Sequence, residues 1–344
     1  MKRLIFLIII IASIPLAAFF SEDIFQTNTT SPEESNKLPI IYHEGYNMTF
    51  FGIEKLHPFE STKYKKIYTQ LQENFNTSFY TPQKVSEKQL LQVHTSDYLE
   101  SIKESRIVAN ILEMGALSKL PIGLITKHLL TPMQYQTGGT ILGAELALEK
   151  SWAINIGGGF HHAKADKGSG FNVYADIPIA VEEIWETQPD LTVMIIDLDA
   201  HQGNGYATVF ADNSNITIFD VYNKDMFPWD NTAKKYIDYN HPISTGTQDE
   251  PYLTLIKNNL PQAIASTSPG LIIYIAGTDV YTKDPLGQLE ISKKTIIERD
   301  AFVFNQAKDN NIPILMLLGG GYTSDSTEII GEAITNILTN ILEI

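Results

Sequence analysis

The sequence contains no cysteine. That excludes disulfides, thiolate catalysis and cysteine-ligated zinc, so any metal must be held by histidine, aspartate or glutamate. Basic residues are scarce: 25 lysines and arginines stand against 40 aspartates and glutamates, for a formal net charge of −15. A surface of that sign repels nucleic acid and argues against direct DNA or RNA binding. It suits cations such as lysine side chains, polyamines or metal ions, and equally serves plain solubility. The glycine runs are not followed by G-K-[ST], so the phosphate-cradling P-loop spacing is missing. No internal repeat is found.

The 344 residues suffice for one large α/β domain or two ordinary ones, and 43% hydrophobic with 19% charged residues is a globular balance. Lys2 and Arg3 precede an uncharged apolar run from Leu4 to Phe20, which reads as a signal peptide. Ala17 and Ala18 are small enough to flank a cleavage site, although Leu16 spoils the A-x-A match. The run also meets the lower length for a membrane span, so residues 1–20 are a signal peptide or an N-terminal anchor. The expected location is exported, periplasmic or secreted, or membrane-anchored, with membrane contact only if the segment is uncleaved. Residues 21–37 are polar and read as a linker, and one domain is expected from 38 to 344.

Within that domain, short apolar runs alternate with amphipathic stretches. Strands are expected at Pro39–Tyr42, Ala153–Ile156, Thr192–Asp199, Asn215–Val221, Gly270–Ala276 and Ile312–Leu318. Helices are expected at Thr62–Asn74, Gly138–Lys150, Asp176–Thr187, Tyr252–Ala265, Ser292–Asp309 and Ser326–Leu342. The alternation predicts an α/β fold with a mostly parallel sheet and helices on both faces. Ligands of open α/β sheets sit beyond the carboxyl ends of strands, so the residues just past each apolar run are the first candidates for a site.

Four such exits carry polar groups. After AINI comes GGGFHHAK, with His161 and His162; alone it is also a glycine turn with two incidental histidines. After MIID comes LDAHQGNG, where Asp197, Asp199 and His201 recur at every second position and share one face while the chain is extended. Aspartate and histidine so placed offer oxygen and nitrogen to a divalent metal, although an isolated D-x-H also fits a salt bridge. After LIIYIA comes GTD, whose Asp279 is a metal ligand or a helix cap; after PILMLL comes GGGY, whose Tyr322 is a hydrogen-bond donor or a packed rim residue. Taken together, Asp199, His201 and Asp279 supply three ligands for one ion with a position left open. His161 and His162 supply acid–base groups, and Tyr322 a donor for an oxyanion.

The segments INIGGGFHHAKADKGSGF, IIDLDAHQGNG, AGTDVYTKDPLGQLEIS and LGGGY resemble the zinc-dependent histone deacetylase family, most closely its class IV branch. YNMTFFGIEKLHPFES, QVHTSDYL and QTGGTILGAELALEKSWAINIGGGFHH strengthen the likeness, which runs from about Leu38 to Ile344; the signal-like N-terminus lies outside it. The resemblance implies the arginase–deacetylase fold, with a sheet of about eight mostly parallel strands. It implies zinc on Asp199, His201 and Asp279, with His162 as general base and later proton donor. His161 would hold the water and stay electrostatic, Asp197 would orient His161, and Tyr322 would bind the acyl oxygen. Asn204 stands where many members have an aspartate behind His162; class II and IV relatives also have asparagine there. A potassium ion behind the zinc is implied at the carbonyls of Asp197, Asp199 and His201, with Asp220. An acyl tunnel is implied at Gly170, Phe171, Phe227 and Leu286.

The function implied is zinc-dependent hydrolysis of an N-acylated amine, with acetyl or longer acyl groups on lysine of peptides or proteins, or an acetylated polyamine, as substrate. A two-metal ureohydrolase of the same fold needs further carboxylates, but Gln202, Gly203 and Asn204 follow His201, and Val280 and Tyr281 follow Asp279. A non-catalytic acyl-lysine-binding module predicts the loss of Tyr322, a tandem histidine or a ligand, and all are present.

Overall fold

The computed structural model describes residues 37–49, 60 and 62–344. The expected signal or anchor, nearly all of the linker and part of the Tyr46–Ser61 motif lie outside the described residues. Among the described residues, no helix is long and apolar enough to cross a membrane.

Eight strands form one sheet: β1 (Lys37–Ile41), β2 (Ser78–Tyr80), β3 (Trp152–Asn155), β4 (Val193–Asp197), β5 (Ile216–Asn223), β6 (Tyr239–Ile243), β7 (Leu271–Ile275) and β8 (Ile314–Leu317). Their order across the sheet is β2-β1-β3-β8-β7-β4-β5-β6, and every neighbouring pair is parallel.

Side-chain alternation explains why the central strands read as unbroken apolar runs. On β4, Val193 and Ile195 face one core while Met194 and Ile196 face the other; on β7, Leu271, Ile273 and Ile275 oppose Ile272 and Tyr274. The first core is covered by α2 (Thr131–Lys150) and α3 (Asp176–Trp185). The second is covered by α1 (Lys63–Phe75), α4 (Asp249–Thr267), α5 (Lys293–Asp309) and α6 (Ser326–Asn336). Each fully buried Ile, Leu or Val contributes roughly 1.5–3 kcal/mol, so both layers are needed to hold the sheet.

Several expected boundaries shift for local reasons. The helix expected from Gly138 begins at Thr131, with Pro132 in its first turn, where a missing N–H costs nothing. Gly138 and Gly139 read as a helix start but lie inside the helix where chains cross closely. A Cβ would stand 1.9 Å from Gln83 O at the first and 1.8 Å from Tyr46 Oη at the second. The strand expected to reach Asp199 ends at Asp197. The last helix gives way after Asn336 to a wider turn over Ile337–Ile341.

The order β3-β8-β7-β4 determines the site. These four adjacent strands are the ones followed by GGGFHH, GGGY, GTD and LDAH, so parallel pairing delivers all four exits side by side at one edge.

Candidate active site

Beyond β4 the chain is no longer a strand, yet Asp197, Asp199 and His201 stay together because backbone amides hold the carboxylates. The Asp199 N–H donates to Asp197 Oδ1 at 3.1 Å, and the His201 N–H to Asp199 Oδ1 at 2.9 Å. The Ala200 N–H donates to Asp279 Oδ1 at 2.8 Å, and the Gly320 N–H to Asp199 Oδ2 at 2.7 Å. His201 Nδ1 lies 3.1 Å from Asp199 Oδ1 and 2.9 Å from Asp279 Oδ2. Ligand atoms of Asp199, His201 and Asp279 all lie within 4.8 Å of one another, and all three residues are buried. Gly320 closes the cradle: a Cβ there would come within 2.4 Å of Asp279 Oδ2 and 2.7 Å of Asp199 Oδ2.

The electrostatics of this cluster fit a divalent cation. Burial, and then the charge on Asp199, raise the Asp279 carboxyl to about 7. Burial opposes the charge on Asp199 too, but His161 and His201 hold that carboxyl well below its ordinary value. Burial would depress His201, yet Asp199 and Asp279 raise it well above an ordinary imidazole. Two desolvated carboxylates facing one imidazole are a donor set in want of positive charge, and oxygen, nitrogen and oxygen from three residues suit zinc with an open position.

The tandem histidines are positioned by the same loop logic. Asp176, at the start of α3, accepts the amides of Gly159 and Phe160 at 2.9 and 2.8 Å and the Thr140 hydroxyl at 2.7 Å. Asn172 Oδ1 accepts the His162 N–H at 2.8 Å. His161 Nδ1 meets Asp197 Oδ2 at 2.8 Å, an oxygen that also accepts the Tyr206 hydroxyl at 2.9 Å. Burial works against the charge on His161, but Asp197 and Asp199 raise it to about 9. His162 Nδ1 meets Asn204 Oδ1 at 2.9 Å, and burial, then His161 and His201, hold this imidazole well below its ordinary value. Tyr322 has its ring 6.3 Å from that of His201, and its amide donates to Asp284 Oδ2 at 2.7 Å. Burial pushes its phenol well up, so it remains a neutral O–H donor.

A cavity of about 80 Å³ opens beside these groups. His161, His162 and Tyr322 line it together with Gly170 and Phe171, and its wall is mainly apolar: Leu112, Met114, Leu117, Leu129, Met133 and Phe160. Phe227 packs its ring 5.0 Å from His162 and close against Gly170, and also lines a neighbouring surface pocket with Asn204 and the exposed Trp229. Leu286 is half-buried and gives its amide to Asp284 Oδ1 at 2.9 Å.

The sequence reading missed several contributors. Tyr206 and Asp284 brace Asp197 and Tyr322 but carry no motif of their own. Phe160 apart, most of the apolar wall comes from residues 112–133, which follow no strand exit. Lys63 is fully buried with Nζ 3.5 Å from Gly319 O; burial, against the pull of Asp279, Asp199 and Asp284, lowers it to about 8.

A three-residue oxygen and nitrogen cluster, flanked by proton-transfer groups and opening on a cavity, has the parts of a metal-dependent hydrolytic site. The histone deacetylase domain family matches residues 57–338, so this chain belongs to the histone deacetylase family. It is 42% identical over 305 residues to a protein named Histone deacetylase 2 of Arabidopsis thaliana, covering 88% of this chain and 79% of that protein. It is 26% identical over 309 residues to the acetoin utilization protein AcuC of Staphylococcus aureus strain COL, covering 84% and 78%. A solved structure titled as the HDA15 HD domain superposes with a TM-score of 0.72 over 88% of this chain and 91% of the other, at 18% identity. The fold is the arginase–deacetylase fold.

Proposed function

We propose that this protein hydrolyses the amide of N-acylated lysine, in peptides or proteins, with zinc at Asp199, His201 and Asp279. The observation that carries the reading is the juxtaposition of that donor cluster with two buried histidines of opposite proton affinity at one end of an apolar cavity. When bound, zinc supplies Lewis acidity toward an acyl carbonyl and lowers the pKa of water.

The chain's own residues do the rest. His162, neutral and held through Nδ1, takes a proton from water at Nε2 and later returns it to the departing amine. His161, fixed between Asp197 and Asp199, orients the water and provides positive charge. The Tyr322 hydroxyl donates to the oxygen of the acyl group as negative charge builds there. The cavity takes the acyl chain and excludes bulk water; its apolar wall supports acyl groups longer than acetyl as well as acetyl itself. Phe171, whose ring lies 6.0 Å from that of Tyr322, flanks the substrate's entry.

A potassium ion behind the zinc is part of the same proposal. Asp220 lies beside Asp197 in the β4–β5 register, and its buried Oδ1 has no hydrogen-bond partner. Burial and the Asp197 charge push the Asp220 carboxyl well up, the condition that a cation relieves. The positively flanked apolar run at residues 4–20 further supports export or anchoring, which cell fractionation checks.

The deciding experiment is a panel of acetyl-lysine, myristoyl-lysine and acetylpolyamine substrates, each with and without a hydroxamate chelator. Hydroxamate-sensitive release of acyl groups from lysine is expected. Turnover of acetylpolyamine alone transfers the substrate to that class, and binding without any turnover overturns the enzymatic reading.

A further inference from the structure

Asn204 is an uncertain support for a base. A carboxamide keeps nearly the same shape when rotated by half a turn, which exchanges its oxygen and its NH2 group. With the oxygen toward His162, Nδ1 carries the ring proton and Nε2 keeps a lone pair for the cavity. With the NH2 toward His162, Nδ1 must accept, the proton moves to Nε2, and the ring has no lone pair to offer a water. Something beyond Asn204 has to choose.

Asp230 is placed to do so. Its Oδ2 lies 3.3 Å from Asn204 Nδ2, on the side of the amide away from His162. The same oxygen accepts Lys164 Nζ at 2.7 Å, while Oδ1 accepts the amides of Thr232 and Ala233 at 3.1 and 3.0 Å. The Gln202 side chain adds a bond to Asp230 O at 3.2 Å. The side chains of Lys164 and Asp230 are only 13% and 19% exposed, so the pair is sheltered and the carboxylate cannot swing away without losing several bonds at once. An ionised carboxylate only accepts hydrogen bonds. It welcomes the NH2 of Asn204 and repels its oxygen. Rotating Asn204 therefore breaks both of its bonds.

We propose that Asp230 is a positioning residue that acts through Asn204 to keep the proton of His162 on Nδ1 and leave Nε2 free to accept one. Lys164, two residues beyond His162, balances the charge of Asp230. The proposal deepens the role given to His162 above and rests on that reading for its kinetic consequence, but the position of the ring proton is observable whether or not the chain turns over a substrate.

The test uses the zinc-loaded full chain with 15N-labelled imidazoles, whose long-range 1H–15N spectra report which nitrogen of each ring is protonated. The His162 signals are assigned by their loss in His162→Gln. In the wild type, His162 is expected to carry its proton on Nδ1; a proton on Nε2 overturns the proposal without any further variant. In Asp230→Asn the Nε2-protonated form appears, and kcat on acetyl-lysine peptide falls about ten-fold with KM within two-fold. An unchanged ring spectrum in Asp230→Asn overturns the proposal. A second background separates positioning from folding. In Asn204→Asp, two carboxylates face each other, so adding Asp230→Asn raises kcat instead of lowering it. A loss by the same factor in both backgrounds overturns the proposal in favour of a purely structural role. A wild type that shows no turnover but holds the proton on Nδ1 counts against the deacylase reading and leaves this one standing.

Discussion

His161 and His162 are consecutive residues whose rings lie 4.0 Å apart, yet they are held in opposite states. The first leans on a buried carboxylate, Asp197, and binds its proton more tightly than a free imidazole. The second leans on an amide, Asn204, and binds its proton far more weakly. Burial disfavours the charged form of both rings and is the largest influence on each; at His161 the charges of Asp197 and Asp199 outweigh it, whereas at His162 the charges of His161 and His201 add to it and the Asn204 amide brings no charge to offset them. That difference in charged neighbours separates two identical side chains into a fixed charge and a proton acceptor.

The comparison is broken most severely by removing one ring at a time. His162→Ala is expected to lower kcat roughly 10³-fold, and His161→Ala about ten-fold less than that, with the far-ultraviolet spectrum unchanged. Equal losses, or a larger loss for His161, contradict the division of labour.

His94 extends the comparison to a buried histidine outside the site. Its Nε2 accepts the Ala175 N–H at 3.0 Å, and burial lowers its pKa to about 4 despite the Ala165 carbonyl at Nδ1. The folded value lies below the unfolded value near 6.5, so below that pH the unfolded chain binds more protons. This contribution to stability is present above about pH 6.5 and is lost as pH falls toward 4, in all roughly 3 kcal/mol. Urea melts should show an acid limb in the wild type that is shallower by about that amount in His94→Gln. Parallel limbs contradict the assignment.

Making the partners alike sharpens the contrast. Asp197→Asn gives His161 an amide, as His162 has, and should lower activity about 10- to 100-fold through lost orientation and charge. Activity within two-fold of wild type would show that the carboxylate is dispensable. The smallest effect leaves both rings untouched. Met114→Trp narrows the cavity wall and should reduce myristoyl-lysine turnover about ten-fold relative to acetyl-lysine; a parallel loss on both substrates removes the cavity from acyl selection.

Much of this site was legible because its informative residues are local. Asp197, Asp199 and His201 lie within five positions, and each of the four exits follows an apolar run. The six strands anticipated are interior or next to interior, where burial on both faces leaves a continuous apolar signature. The two that escaped notice, β2 and β6, are the sheet's edges. β2 is three residues long, and β6 carries Asn240, His241 and Pro242, which an edge tolerates and a central strand does not. Asp230 was equally hidden: it stands 26 residues from Asn204 and 66 from Lys164, in a loop with no periodicity. Most of the cavity wall was missed because residues 112–133 follow no apolar strand.

A single ion at Asp199, His201 and Asp279 is the centre of the proposed chemistry. Chelator-stripped protein titrated with zinc, while hydrolysis of an acetyl-lysine peptide is measured, tests this directly. Activity should rise linearly and level off at one equivalent per chain, and Asp279→Asn should stay at baseline throughout. Full turnover in the stripped protein, a requirement for a second equivalent, or wild-type saturation in Asp279→Asn would contradict it.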